Sequence, residues 1–411
     1  MIPGAVSRKQ STPAGTARAE PLGPGERIDA IDALRGLALF GVLIINVVTE
    51  FRVSIFEQFL VHPPIRAAFD ATLHTLLMLL VSQKALSLFS LLFGLGLAIQ
   101  FDRLRDNPQR LKLLLRRLAV LLAIGLVHLC LIWNGDILTE YALAGFIVLP
   151  FLYGPRWIVA AAGAAVFALY LVMPFLPPLV AFPSQAWIAQ HAAEATRAYG
   201  QGGFAEVFAF RLHEIPAILV LHVLIFPRTI ALMLVGAFLW RTGILSRIEA
   251  HTLLFGALAV PVIILGLGLG ALVEGLTPLN RSFLGQGLFS IERFAPPMLA
   301  IGYGAAVLAI IAAGGGRLFA WAAPLGRMAF TNYLLQSLIF GGMFYGYGLG
   351  LFGALGIASA LALGGTVYVI QVVLSRWWLR RFRFGPVEWL WRTLMYGMVQ
   401  PMRMRPRPVS G

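Results

Sequence analysis

Apolar runs alternate with short polar connections along nearly the whole chain, from Leu34 to Leu374. Many of these runs are long enough to cross the hydrocarbon core of a bilayer, about 30 Å thick, as α-helices. The pattern therefore predicts an all-α integral membrane protein with about ten transmembrane helices and additional interfacial helices. The predicted spans cover approximately residues 33–48, 85–101, 113–133, 137–153, 157–175, 228–240, 253–273, 294–313, 324–344 and 352–374.

Two apolar stretches are too long for one upright crossing. Residues 72–84 are predicted to form a short interfacial or partly inserted helix before their span, and residues 208–227 an in-plane or tilted segment before theirs. The polar stretch 184–206 is predicted to form an amphipathic surface helix. A single crossing at 85–101 keeps the strongly basic connection 102–117 on the cytoplasmic side, as the positive-inside rule requires.

The composition supports a membrane protein over a soluble one. Hydrophobic residues make up 59% of the 411 positions and charged residues 12%, about half of the charged fraction typical of soluble domains. The net charge of +14 arises from short connections and the carboxyl tail, so it indicates orientation in the membrane rather than nucleic-acid binding. The single cysteine, Cys130, excludes an intrachain disulfide and a multi-cysteine metal site, and no metal site is predicted.

The chain divides into three parts. Residues 1–26 are rich in Pro, Gly, Ala, Ser and Thr, which predicts a disordered cytoplasmic segment without a cleavable signal peptide. Residues 27–375 form the membrane domain. Residues 376–411 form a basic cytoplasmic tail, for which anionic lipid headgroups are the expected partner. Ten crossings place both termini in the cytoplasm.

The opening helix carries polar residues that a simple membrane anchor does not need. Arg35 lies near its start and Asn46 eleven residues later, about 16 Å further along the axis at 1.5 Å per residue. Polar groups are costly inside a bilayer, so both residues are candidates for binding. Arg35 suits a phosphate or carboxylate, which guanidinium binds bidentately. An ion pair between Arg35 and Asp32 or Glu388 is the structural alternative.

A histidine with nearby acids gives a candidate for acid–base chemistry. His128 lies near the outer end of the third predicted span, and Asp136 and Glu140 follow in the next turn and helix. Either acid would orient the imidazole and stabilise its charged form while His128 acts as a general base. The alternative is structural: His128 bonds to a neighbouring helix and Asp136 caps the next helix.

Further polar residues extend this site in two directions. His74, Lys84 and Arg228 are predicted on the same outer side, where they would complete a cavity for an anionic or sugar-like acceptor, or reach to the headgroups instead. Asn332, Tyr333, Gln336 and Ser337 form a stripe at helical spacing. Asn46 and Asn332 would line a path between the two sides, although interhelical hydrogen bonds are favoured for Asn332 and Gln336.

Five stretches resemble the YeiB-like family of bacterial membrane proteins, whose carboxyl half carries domain-of-unknown-function family 418. They read DALRGLALFGVLIIN, QKALSLFSLLFGLG, RRLAVLLAIGLVHLCLIWNGDILTEYALAG, GRMAFTNYLLQSLIF with GYGLGLFG, and FGPVEWLWRTLMYG. The family domain is expected at about residues 228–400. The family is distantly similar to transmembrane acyltransferases, which share an Arg-Gly pair like Arg35-Gly36 and often have a catalytic histidine where this chain has Asn46. An amide cannot act as a general base near neutral pH.

The leading functional hypothesis is an acyltransferase that moves an acyl group from a cytoplasmic thioester to an envelope or extracytoplasmic small molecule or glycan. Acyl-coenzyme A is the expected donor substrate, and no permanently bound cofactor is expected. A transporter or permease for a small solute would use the same buried polar residues as a pathway. A structural or signalling membrane protein without turnover is the third hypothesis.

Overall fold

The computed structural model describes residues 29–60, 68–178, 180–276 and 285–404, and the predicted disordered segment 1–26 lies outside them. Helices account for most of these residues. The α-helices are α1 Asp29–Asn46, α2 Ala68–Leu80, α3 Lys84–Arg103, α4 Arg110–Val127, α5 Leu138–Val148, α6 Arg156–Val172, α7 Gln185–Gln201, α8 Phe204–Arg241, α9 Thr252–Leu276, α10 Gly285–Ala312, α11 Ala323–Arg327, α12 Ala329–Phe344, α13 Ile357–Trp378 and α14 Pro386–Tyr396.

The described residues confirm an all-α, multi-pass membrane protein. Eight helical segments in the described ranges are long and apolar enough to span a bilayer: Asp29–Phe51, Ala68–Arg103, Arg110–Ile132, Arg156–Phe175, Phe204–Arg241, Ile248–Leu272, Arg293–Ala312 and Ile357–Trp378. The remaining two predicted crossings correspond to the shorter apolar segment Leu138–Tyr153 and to α11 with α12.

Of the two long apolar stretches, one is interrupted in the structure where the sequence predicts it and the other is not. Residues 81–83 form a turn between α2 and α3, with Gln83 in the left-handed region at φ 60°. By contrast, α8 is one unbroken helix of 38 residues despite Pro216 and Pro227 inside it, so a separate in-plane helix before residue 228 is wrong, and the alternative of a tilted first part is left. At 1.5 Å per residue α8 is about 57 Å long, far more than the ~30 Å hydrocarbon core.

Close helix contacts at glycines hold the bundle together. A β-carbon added to Gly94 of α3 would lie 2.0 Å from the Met233 carbonyl oxygen, and one added to Gly236 of α8 would lie 2.0 Å from the Leu91 carbonyl oxygen. The backbones of α3 and α8 therefore touch on both sides of this crossing, as small residues permit in membrane bundles.

The carboxyl end of the described chain folds back onto the bundle. The Glu388 carboxylate of α14 accepts hydrogen bonds from the backbone N–H groups of Phe330 and Thr331, at the start of α12, and from the Thr331 hydroxyl. The Trp391 indole N–H donates to the Arg117 carbonyl oxygen of α4 at 3.0 Å. Thus α14, within the predicted basic tail, ties α12 to α4 and fixes the position of α12.

Candidate functional site

Two of the membrane helices end in a π-helical turn. Val47–Phe51 continues α1 directly after Asn46, and His128–Ile132 continues α4 and begins at His128. Each turn closes on an i to i+5 hydrogen bond, from Arg52 N–H to Val47 and from Trp133 N–H to His128. Single π turns often mark functional sites because they change the direction of neighbouring side chains. Asn46 of α1 and His128 at the end of α4, both predicted as site residues, therefore each lie at a π-helical turn.

His128 is fully buried and bonded through both ring nitrogens. Its Nδ1 lies 2.7 Å from Asp136 Oδ1, and its Nε2 lies 2.9 Å from the Ser337 hydroxyl oxygen of α12. The other Asp136 oxygen accepts the Thr139 N–H at 2.7 Å, which fixes the carboxylate at the start of α5. When the imidazole is neutral, the Asp136 carboxylate selects the tautomer with its proton on Nδ1, and Nε2 then accepts from the Ser337 hydroxyl. The arrangement is an ordered Ser–His–Asp series.

Aromatic residues enclose this series. The Tyr333 ring lies 5.3 Å from the imidazole of His128, and Trp133 meets the imidazole edge-on at 6.1 Å. The Tyr333 hydroxyl donates to the Gly135 carbonyl oxygen and accepts the Ile137 N–H, each at 3.3 Å. Tyr333 thereby joins α12 to the turn that carries Asp136.

A narrow cavity lies on the Ser337 side of the series; it is too tight in this structure to hold a water molecule, so a ligand enters only if the lining side chains move. Its lining consists of Leu43, Asn46, Phe51, Tyr333, Gln336, Ser337 and Phe340. Asn46 is 7% exposed, and its side-chain amide makes no hydrogen bond with the described residues. The cavity therefore contains a hydroxyl activated by a histidine and an amide with unused hydrogen-bonding capacity.

A second narrow cavity lies beyond Phe51 and Trp133, which stack at 4.5 Å. It is lined by Glu50, Ser54, Ile55, Trp133, Asn134, Gly135, Tyr199, Glu214, Ile218 and Tyr345. Phe51 faces the first cavity and Trp133 the second, so this aromatic pair separates them. The partly exposed Glu50 side chain makes no hydrogen bond with the described residues.

Glu214 organises the polar wall of this second cavity. One carboxylate oxygen lies 2.9 Å from His191 Nε2, and the other accepts from Tyr199 and Asn134. Burial, reinforced by the Glu214 charge, raises the pKa of Tyr199 and keeps its hydroxyl protonated. Sequence reasoning missed this group because its members come from three separate segments and match no motif.

The other residues predicted beside His128 are distributed elsewhere. Glu140 bonds with His222 Nδ1 at 2.6 Å and with the Thr229 hydroxyl, rather than with His128. Arg228 donates to the Gln83 side chain, and Lys84 donates to the Met78 carbonyl oxygen at 2.5 Å. His74 on α2 is partly exposed and lines neither cavity. Among the described residues, no group of three or more His, Cys, Asp or Glu side chains is arranged to hold a metal ion.

Two residues of the polar stripe on α12 bond to α13. Asn332 donates to the Ser375 hydroxyl at 2.9 Å, and Gln336 donates to the Gln371 side chain at 2.8 Å. These contacts agree with the interhelical alternative for both residues. Gln336 additionally lines the first cavity.

Four arginines converge at the opposite end of the same helices. Arg35 pairs with Asp32 at 3.0 Å and keeps 30% of its side chain exposed. Its guanidinium approaches Gly96 of α3, and Arg117 donates to the Gly96 carbonyl oxygen. Arg117 lies close enough to Arg35 and Arg392 to be repelled by their charges. Arg392 is repelled in the same way by Arg35 and Arg103. We call these four residues the arginine cluster; its charge suits a phosphate-bearing ligand.

Comparisons with known proteins agree with the resemblance found in the sequence. A family model described as a protein of unknown function (DUF418) matches residues 239–398. Uncharacterized protein YxaH of Bacillus subtilis is 30% identical over 403 residues, covering 93% of this chain and 98% of the relative. Uncharacterized protein YeiB of Escherichia coli is 32% identical over 397 residues, covering 90% of this chain and 96% of the relative. The chain therefore belongs to the YeiB-like family of membrane proteins.

Proposed function

We propose that the protein is an inner-membrane acyltransferase that takes an acyl group from a cytoplasmic thioester and passes it to an acceptor on the other side. The observation that carries this proposal is the buried series of Ser337, His128 and Asp136, which ends at a cavity. His128 is the general base: Asp136 holds its Nδ1, and its Nε2 contacts the Ser337 hydroxyl.

The depth of this series suits transfer across a membrane. His128 follows Arg117 by eleven residues on α4, as Asn46 follows Arg35 by eleven on α1. Both separations are about 16 Å along a helix, roughly half of the ~30 Å hydrocarbon core. A thioester whose phosphates bind the arginine cluster would extend its acyl end toward the series, which lies in the outer half of the spans Asp29–Phe51 and Arg110–Ile132. Acyl-coenzyme A has this construction, a phosphorylated head and an extended thioester arm.

The second cavity is the proposed acceptor side. It lies across the Phe51–Trp133 pair from Ser337 and contains hydroxyl, amide and carboxylate groups that suit a polar acceptor. Movement of the two stacked rings would join the cavities. Two cavities on either side of the Phe51–Trp133 pair support this proposal, because a donor and an acceptor must both reach the reacting groups.

The test is consumption of radiolabelled acetyl-coenzyme A by the full chain in nanodiscs, with and without a membrane extract as the source of acceptor. We expect His128→Gln to abolish transfer of the label while the melting temperature stays close to that of the wild type. His213→Gln is the matched control, because His213 is exposed and outside both cavities. Full activity of His128→Gln, or uptake of solute without chemical change, would reject the acyltransferase.

A further inference from the structure

We infer that Ser337 is a nucleophile and that the acyl group passes through a covalent Ser337 ester, with the Asn46 amide stabilising the oxyanion. This inference rests on the proposed function and adds a chemical intermediate to it. Its basis is the position of Ser337 between the base and the cavity, together with the unused hydrogen-bonding capacity of Asn46.

The bonding of His128 favours a covalent route over direct deprotonation of an acceptor. Both ring nitrogens are occupied, and His128 itself is fully buried and absent from the lining of either cavity. Ser337, in contrast, bonds with His128 and lines the first cavity. A substrate in that cavity therefore meets the serine hydroxyl, whereas contact with the imidazole would require Ser337 to move away.

The Ser337 hydroxyl has one competing acceptor on its own helix. Its oxygen lies 3.3 Å from the Tyr333 carbonyl oxygen, compared with 2.9 Å from His128 Nε2. The shorter contact and the Asp136 carboxylate behind the imidazole both favour donation to His128. The proton is thus already directed toward the base that must receive it.

Asn46 supplies a hydrogen-bond donor for the oxyanion, which Ser337 and His128 do not provide. The tetrahedral intermediate of acyl transfer carries a negative oxygen, which needs a hydrogen-bond donor inside a water-poor site. The Asn46 amide lines the cavity with Ser337 and makes no hydrogen bond with the described residues. The oxyanion donor thus comes from α1, the nucleophile from α12 and the base from α4.

The two steps conserve atoms and protons. In the first, Ser337 Oγ attacks the thioester carbonyl carbon, its proton moves to His128 Nε2, the carbon–sulfur bond breaks, and the thiolate leaves with that proton as a free thiol. In the second, an acceptor O–H or N–H attacks the ester carbonyl and gives its proton to His128. The carbon–oxygen bond to Ser337 breaks, and the proton returns to Ser337.

The decisive probe is an alkyl fluorophosphonate, which reacts with activated serines and does not depend on knowing the acyl donor. Ser337 Oγ would bond to phosphorus, fluoride would leave, and the proton would move to His128. We expect mass spectrometry of the nanodisc-embedded chain to find the adduct on the peptide that contains Ser337. Ser337→Ala and His128→Gln should lose it, and Ser375→Ala should keep it, because Ser375 bonds with Asn332 outside the cavity.

Asn46 is tested by the rate of the same labelling. Removal of one oxyanion donor slows enzymes by about 10²–10³-fold, so Asn46→Ala should slow labelling by about that factor while Ser337 stays intact. Asn46→Asp preserves the shape but not the N–H donor, and it should be at least as slow. Labelling of Asn46→Ala at the wild-type rate would remove Asn46 from the mechanism.

The outcomes separate this inference from the proposed function. Absence of a Ser337 adduct in folded protein, or full acyl transfer by Ser337→Ala, would reject the nucleophile and leave the acyltransferase standing. A Ser337 adduct in a protein that consumes no acyl thioester would support the activated serine and reject the acyltransferase.

Discussion

Asp136 has two simultaneous tasks, because one carboxylate oxygen binds His128 and the other caps α5 through the Thr139 N–H. The substitution Asp136→Asn would leave a single acceptor oxygen for these two donors. If that oxygen keeps the cap, the side-chain NH₂ faces Nδ1 and forces the wrong imidazole tautomer. We expect labelling of Ser337 by the fluorophosphonate to fall by about 10³–10⁴-fold. Glu140→Gln is the control, since the Glu140 carboxylate bonds with His222 and Thr229, and it should retain the wild-type rate.

Glu50 gives a prediction about the acceptor. Its side chain lines the second cavity without a hydrogen bond from the described residues, and a positively charged ligand there would stabilise its carboxylate form. Serinol carries an ammonium group at the carbon where glycerol carries a hydroxyl. Comparing the acylation of the two compounds therefore measures the preference for a positive charge directly. Glu50→Gln should lower the ratio of serinol to glycerol acylation by about tenfold, or about 1.4 kcal/mol. An unchanged ratio, measured by product analysis, would contradict this assignment.

At the scale of residues, the sequence predicted the contact between His128 and Asp136 but not the other contacts of the site. The pair of His128 and Asp136 was predictable because both residues lie in one short segment. Ser337 was visible only as part of a polar stripe, because its contact with His128 joins residues 209 positions apart. Glu214 and His191 were missed since helix packing, not local spacing, brings them together.

At the scale of elements, the close contact between α3 and α8 leads to a prediction about stability. An added β-carbon at Gly94 or Gly236 would overlap the backbone of the opposing helix, whereas one at Gly365 of α13 has nothing within 4 Å. Overpacking typically costs about 1–3 kcal/mol. We expect Gly94→Ala and Gly236→Ala each to lower the melting temperature in detergent, and Gly365→Ala to leave it unchanged or raise it slightly. Equal melting temperatures for all three would mean that α3 and α8 are not in close contact.

The contact between α14 and α12 should make stability depend on pH. Burial raises the pKa of Glu388 above the ordinary value of 4.5, against hydrogen bonds from Thr331 and Phe330 that lower it. As the pH rises past 4.5, the unfolded chain loses this proton first, so the free energy of unfolding falls until Glu388 also ionises in the folded state. Glu388→Gln should remove this fall in melting temperature. If the melting temperatures of the wild type and of Glu388→Gln change in parallel with pH, the prediction is contradicted.

Element type was largely predictable, whereas element boundaries depended on tertiary structure. The long apolar runs indicated helices because only that pattern suits a bilayer. The continuity of α8 through Pro216 and Pro227 was not predictable, since neighbouring helices decide whether a proline interrupts a membrane helix. The π turns after Asn46 and at His128 also leave no sequence signature, although they direct the residues of the candidate site.

The arginine cluster, the Ser337–His128–Asp136 series and the charge distribution together predict an orientation for the whole molecule. The cluster lies near the starts of α1 and α4 and near α14, the region that the positive-inside rule assigns to the cytoplasm. A phosphorylated thioester cannot cross a bilayer unaided, so it should reach Ser337 only from that side.

We therefore expect radiolabelled acetyl-coenzyme A to acylate Ser337 in inside-out membrane vesicles and not in sealed right-side-out vesicles. The alkyl fluorophosphonate, which enters lipid, should label Ser337 in both preparations and so prove that the site is intact in each. Ser337→Ala supplies the background for both probes. Equal acylation in the two orientations would contradict entry of the donor from the cytoplasmic side alone. Acylation in inside-out vesicles only would link the arginine cluster to the series about 16 Å further along the helices.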